Sequence, residues 1–439
     1  MFGIRRYFQS FNGQRFLVRT FATSKTEPPS YKVVVIGGGT GGLAVSSTLS
    51  GILGKHSVAI IEPSSVHYYQ PLWTFVGAGI KPLSESAKPM EELIPPNADW
   101  VKNKVEKIDP EDNSVILQDG SKIKYDYLVV APGIQMNWNN IKGLPEAIGK
   151  NGVTSNYSVD TVEKTWDFIK EFRGGNAIFT MPGTPIKCPG AAIKIAYLAE
   201  DYFTKNLVRS KSNIIYNTAM GKIFAIDKFA ASLNRIAKER DIEVNLFTNL
   251  IEVRGDKKEA VFKNVQTNEE KVLNYDLLHV VPPMGPPSFI AASKIGNAAG
   301  WVDIDQYTMQ HLKYSNIFSL GDASSAPTSK TAAAISPQSG VLKKNLLDMM
   351  EGKFNTGNAA RYDGYASCPL LVGRNKLVLA EFSGYTAQPM ETFPFDQGKE
   401  RSSMYYLTKE VIPDIYWNRL LKGSWVGPAK VRHWLSYVP

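Results

Sequence analysis

The chain has 439 residues, enough for two or three domains with substantial cores, and its composition is that of an ordinary globular protein, 43% hydrophobic and 21% charged. Its formal charge is +9, but residues 1–26 hold five cations and no acid, so the remainder carries about +4, too little to argue for nucleic-acid binding. No run of about 18 uncharged apolar residues exists to span a bilayer, and two cysteines far apart exclude a disulfide scaffold and any Cys-x-x-Cys motif.

The five histidines are scattered without ligand spacing, so no metal centre is expected. Residues 1–26 set Arg5, Arg6, Arg15, Arg19 and Lys25 among apolar residues, the pattern of a mitochondrial transit peptide. YKVVVIGGGTGGLAVSSTL (31–49) then predicts a β-branched strand running through glycines into a helix. Gly37, Gly39 and Gly42 stand in G-x-G-x-x-G register, serving in turn the tight turn, the approach of a pyrophosphate and helix–strand packing. Unpaired N–H groups at the helix start would face those phosphates. A second strand, SVAIIEP (57–63), ends in Glu62, about 20 residues past the last glycine, where a carboxylate meets ribose hydroxyls. DYLVVAPG (126–133) is a further strand, ending in Ala-Pro-Gly.

Residues 151–284 are expected to form an inserted second unit. A helix at 160–172 and strands at NAIFTMPG (176–183) and SNIIYNTA (212–219) predict another doubly wound layer. A nicotinamide site here would need a second glycine fingerprint. The turn reads PGTPIKCPG (182–190) instead, with Pro185 and Lys187 where flexible backbone is required, and the following strand ends without an acid. Cys188 precedes the helical stretch PGAAIKIAYLAEDYF (189–203); the helix start, Lys187 and Lys194 favour a thiolate there. A small buried apolar residue is the alternative for it and for Cys368. NIFSLGDASSAP (316–327) ends a strand in Gly-Asp and leads into a helix at 330–347, so the first domain is discontinuous, 30–150 resumed at 285–350. The remainder, 351–439, holds Cys368 before a strand-like run, then two short helical patterns separated by GSWVGP (423–428). Their aromatic and basic residues suit an in-plane membrane anchor; packing on the body or on a second subunit is the alternative.

In this order the glycine fingerprint, Ala-Pro-Gly and Gly-Asp resemble the two-dinucleotide-binding-domain flavoproteins, an α/β class with two Rossmann-like domains as in glutathione reductase. HYYQPLWTFVGAG (67–79), the Cys188 loop, LHVVPPMGPP (278–287), DGYASCPLL (363–371) and ETFPFDQGKERSSMYYL (391–407) are more specific, and with them the chain from about residue 31 onward is similar to the sulfide:quinone oxidoreductase family. The resemblance implies FAD contacted by Gly37, Gly39, Gly42, Glu62, Gln70, Val105, Ala131, Gly133, Asp322 and Lys330, with Tyr68 and Tyr69 packed beside it. It implies that Cys188 and Cys368 are bridged through sulfur, that hydrogen sulfide attacks on the Cys368 side, and that Cys188 relays electrons to the flavin. A small acceptor such as glutathione, sulfite or sulfide would take the persulfide sulfur, and ubiquinone the electrons. Location on the mitochondrial inner membrane as a peripheral, monotopic protein follows, and a homodimer is compatible with it. Phe393, Phe395, Tyr416, Trp417 and Trp425 are expected on the quinone or membrane side. Family members with a third cysteine carry it in places such as the residue after Gly-Asp; here that residue is Ala323. A type II NADH:quinone oxidoreductase would need the second glycine fingerprint and no cysteines. A non-catalytic flavoprotein would bury both thiols inertly.

Overall fold

Val33–Ile36 at the end of the first strand are all buried, the near-continuous apolar run of a strand covered on both faces. In the computed structural model, which describes residues 27–355 and 357–436, this strand (Ser30–Ile36) pairs in parallel with Val58–Ile61 on one side and Lys122–Val130 on the other. The expected transit peptide, residues 1–26, lies outside the described residues. Ala98–Val101 extends the sheet beyond Val58–Ile61. The other edge of Lys122–Val130 is shared: Ser114–Leu117 pairs antiparallel with its start, and Ile317–Ser319 pairs in parallel with its end. That last pairing returns the chain to the first sheet after an insertion. The helix Thr40–Leu53 lies close against its strand because Gly42 has no side chain; a Cβ there would sit 1.8 Å from the Gly37 carbonyl oxygen.

The insertion carries a second parallel sheet, in the order Val153–Thr154, Leu277–His279, Gly175–Met181, Ser212–Thr218, Ile242–Asn245. An antiparallel three-stranded sheet, at Thr248–Arg254, Glu259–Asn264 and Glu270–Asn274, lies in sequence between its strands Ile242–Asn245 and Leu277–His279.

After the helix Ala332–Met350, the chain forms an antiparallel hairpin, Tyr365–Gly373 with Lys376–Ser383. Strand alternation gives this hairpin two jobs. Cys368 points to one face, where a Cβ on Gly190 would meet its sulfur at 2.4 Å. Tyr365 and Glu381 occupy the other, where Glu381 accepts from the Tyr365 hydroxyl, from the backbone and hydroxyl of Thr392 at 3.0 and 2.8 Å, and from Gln397 at 2.9 Å.

The helical run that begins at Ser402 and ends at Leu420 differs from the expected membrane face. Tyr416 and Trp417 are 3% and 8% exposed and pack on His67 and Tyr69 of the first domain. Their apolar surface is already buried by the body, and the chain after them is tied down: Ser47 donates to the Leu421 carbonyl at 2.6 Å and Lys343 to that of Gly423 at 2.7 Å. Among the described residues, the large apolar ones left exposed in this region are Tyr406, Val411, Val426 and Trp434. Among the described residues no helix is long and apolar enough to cross a membrane.

Candidate active site: a thiol pair beside a dinucleotide cleft

A cleft of about 370 Å³ opens between the two parallel sheets, at the carboxyl ends of their strands, where doubly wound folds bind ligands. The first domain lines it with Gly37, Gly39, Glu62, Gln70, Ala131, Gly133, Asp322 and Lys330; the second contributes Asn156, Tyr157, Lys187, Cys188, Ala191 and Lys194. Its chemistry fits a dinucleotide. Gly39 begins a helix with no side-chain cap, and a Cβ added there would meet nothing within 4 Å, so its N–H groups face open space. Glu62 is aimed by the Gly38 and Ser64 amides, which donate to its two oxygens at 2.8 and 2.7 Å. Burial raises the Asp322 carboxyl, partly offset by Lys330 and Lys187. Tyr68 also lines the cleft; Tyr69 packs tilted against Tyr416 instead, with ring centres 4.2 Å apart.

Other expected residues are not brought here. Val105 opens the strand Val105–Asp109, buried but away from the cleft lining, and Gly42 serves packing. Phe393 and Phe395 stack on each other at 5.4 Å behind the hairpin, and Trp425 packs half-buried against the core.

The sequence assigns His67 no role beyond its motif, yet it joins the glycine turn to the C-terminal region. Burial lowers its pKa to about 4, so the ring is neutral at physiological pH. The Gly38 carbonyl, 3.0 Å from Nδ1, can only accept, which places the ring proton on Nδ1. Nε2 therefore accepts from the Tyr416 hydroxyl at 2.6 Å, and the Tyr416 oxygen accepts from Thr40 Oγ1 at 2.8 Å. One hydroxyl thus holds both sides of the turn that a pyrophosphate would approach.

The sulfur atoms of Cys188 and Cys368 lie 3.7 Å apart. Cys188 lines the cleft; Cys368, 1% exposed, lies behind it. Cys188 adopts φ +44°, a left-handed conformation that costs a non-glycine residue on the order of 1–3 kcal/mol. Three hydrogen bonds, each contributing about 1 kcal/mol, hold it there. Its N–H donates to the Lys330 carbonyl at 2.8 Å, and its carbonyl accepts from Tyr157 at 3.0 Å and from the Ala191 amide at 2.9 Å. In this conformation Cys188 lines the cleft. The Cys368 S–H and the Lys194 ammonium, 3.5 Å from Cys188 Sγ, hold the Cys188 thiol down to about 6 against the burial that opposes ionisation. The same hydrogen bond and burial push Cys368 well up. The first proton of the pair therefore leaves Cys188.

The turn that would carry a second phosphate site is closed to one. The Lys187 amide donates to Met284 Sδ at 3.4 Å and the Cys188 amide to Lys330, so donors that a phosphate would need are already used.

Two parallel-sheet domains, one dinucleotide cleft and a thiol pair at its wall define a two-dinucleotide-binding-domain flavoprotein oxidoreductase. A family model described as pyridine nucleotide-disulphide oxidoreductase matches residues 31–170. The mouse protein named mitochondrial sulfide:quinone oxidoreductase is 49% identical over 92% of this chain and 89% of its own. The Dictyostelium discoideum protein of the same name is 48% identical over 90% of this chain and 87% of its own. The crystal structure of sulfide:quinone oxidoreductase from Aquifex aeolicus shares the fold, with a TM-score of 0.77 at 18% identity, covering 93% of this chain and 95% of that one. The chain belongs to the sulfide:quinone oxidoreductase family.

Alkylation of reduced Cys188 by iodoacetamide needs the thiolate, so its rate should fall as pH drops through about 6 and level off above it. In Lys194→Met the step should move up by about one unit or more; an unmoved step, followed by mass spectrometry of the Cys188 peptide, would remove Lys194 as the cause. In Tyr416→Phe, loss of one hydrogen-bonding hydroxyl should weaken FAD binding roughly fivefold, about 1 kcal/mol, measured by flavin fluorescence titration.

Proposed function

We propose that this protein is an FAD-dependent enzyme of the mitochondrial inner membrane that oxidises hydrogen sulfide and sends two electrons to a quinone, ubiquinone in that membrane. The observation that carries this reading is the 3.7 Å approach of two sulfurs, one facing the cleft, the other enclosed behind it. The unequal thiols set the direction of the chemistry. In the oxidised state the two are bridged through sulfur. Hydrosulfide, an anion drawn toward Lys194, attacks the Cys368 sulfur. A new S–S bond forms there, the bridge breaks, and Cys188 leaves as thiolate. The thiol of lower pKa is the faster leaving group, and the enclosure of Cys368 favours a nucleophile as small as hydrosulfide.

The outer sulfur of the Cys368 persulfide then passes to a small nucleophile, such as sulfite, glutathione thiolate or a second sulfide, leaving a Cys368 thiolate. Bound FAD supplies a two-electron acceptor for the thiol pair and a donor to quinone. Each turn re-forms the sulfur bridge and releases two electrons, and no nicotinamide takes part. Holding both sulfurs and the cleft in contact supplies the proximity such a transfer needs.

A quinone is lipid-soluble, which requires a membrane surface. Tyr406, Val411, Val426 and Trp434, 54%, 48%, 38% and 66% exposed, share the C-terminal region with exposed Arg419, Lys422 and Lys430. Apolar side chains among cations suit an anionic bilayer surface.

Cys188→Ser and Cys368→Ser should each reduce sulfide-dependent quinone reduction by at least about a thousandfold, since each removes a covalent partner. Sulfide-treated wild type should carry the added sulfur on the Cys368 peptide; an adduct confined to Cys188 would reverse the roles. Replacing Tyr406, Val411, Val426 and Trp434 together by Ser should cut co-sedimentation with anionic vesicles by about tenfold or more while leaving FAD content unchanged. Undiminished sedimentation would move the membrane contact elsewhere.

A further inference from the structure

Three lysines bring ammonium groups to the cleft wall, and their partners separate their roles. Lys194 is engaged with the thiols. Lys330 donates to the backbone carbonyls of Asp322 and Ser324 at 2.7 and 3.2 Å and lies 3.9 Å from the Trp301 ring centre, a clamp on its own loop. Among the described residues Lys187 donates to Gln70 Oε1 alone, at 2.8 Å, with the Trp73 ring centre at 5.2 Å. An ammonium has three N–H bonds, so two of those on Lys187 have no acceptor among the described residues.

The placement of Lys187 is tightly set. Its backbone bridges that of Lys330 and its amide is bound to Met284. It directly precedes Cys188, so the turn that aims the thiol at the cleft also delivers this cation to it. The contact with Gln70 crosses from the second domain to the first. Burial lowers its pKa to about 8, and Asp322 is the carboxylate that acts against this. Such a charge, half-removed from water and short of partners, is poised for an anion in the cleft.

We propose that Lys187 balances the negative charge that the bound flavin acquires on reduction, and so raises the cofactor's reduction potential. This rests on the reading that the cleft holds FAD. The thiol pair gives up two electrons as its sulfur bridge closes; bound FAD would take them and, with one proton from solvent, would carry one net negative charge. A fixed ammonium favours that reduced form over the neutral oxidised ring, and pulls electrons from sulfur toward the cofactor. Lys187 thereby couples the Cys188 turn to the electronics of the flavin.

The test is an anaerobic redox titration of the purified holoenzymes against a reference dye, with wild type, Lys187→Met, Lys187→Gln and Lys187→Arg. Both neutral variants should disfavour the reduced flavin at least tenfold relative to wild type, a fall of about 30 mV for a two-electron couple. The Arg variant, which keeps the charge, should stay close to wild type. FAD content, read from absorbance, should be retained in all four. Either neutral variant holding FAD at the wild-type potential overturns the proposal, and so does loss of FAD from both, which would make Lys187 an anchor. Wild-type protein purified without flavin would instead overturn the FAD reading itself.

Discussion

The Cys188 turn is held in a strained conformation by groups from three parts of the chain, and the site exists because it is. The Lys330 carbonyl comes from the first domain, the Tyr157 hydroxyl from the start of the second, and the Ala191 amide from the helix that follows. Each of the three hydrogen bonds opposes relaxation of the backbone from its left-handed conformation. Gly190 completes the arrangement by leaving room for Cys368, since any side chain there would occupy the space of that sulfur. The hydrogen bonds that bring the thiols together also remove the donors a nicotinamide phosphate would need. Sulfur chemistry and nucleotide binding are alternatives at this turn.

The hairpin that supplies Cys368 also separates two regions. One face meets the Cys188 turn. The other anchors Glu381, Thr392 and Gln397, and Gln397 in turn accepts from the Phe393 amide at 2.8 Å. Alternation along a strand places the loop with Phe393 and Phe395 on the side away from the thiols. The C-terminal run, beside that loop in sequence, spends its buried aromatic face on the first domain and leaves a few apolar side chains outside. Tyr416 turns this packing into a polar link, reaching through neutral His67 to the glycine turn. The C-terminal run and the glycine turn are therefore parts of one hydrogen-bonded unit.

Much of this was legible in the chain. The helices expected at 160–172 and 189–203 occur as Val159–Glu171 and Ala191–Lys205, and the strands at 176–183 and 212–219 as Gly175–Met181 and Ser212–Thr218. Local signals suffice for such elements: apolar period, a capping Ser158, and prolines that stop a strand. Glu62 and Asp322 could be placed on the cleft because strand ends and glycine turns define its rim. The run holding Tyr416 and Trp417 was harder. An aromatic, basic helix carries the same pattern whether its apolar face meets lipid or protein, and only the presence of His67 and Tyr69 opposite decides between them.

The amino-acid sequence by itself determined the two nucleotide-type domains, the loss of the second glycine loop and the presence of two thiols in distinctive contexts. These are properties of short segments, where residue type and spacing set backbone conformation. The tertiary structure alone decided that Cys188 is strained and Cys368 enclosed, that Lys187 faces the cleft while Lys194 faces sulfur, and that Tyr416 bonds His67. Each of these depends on which groups from distant segments arrive within about 4 Å, where hydrogen bonds and charge–charge interactions become strong enough to set protonation and orientation.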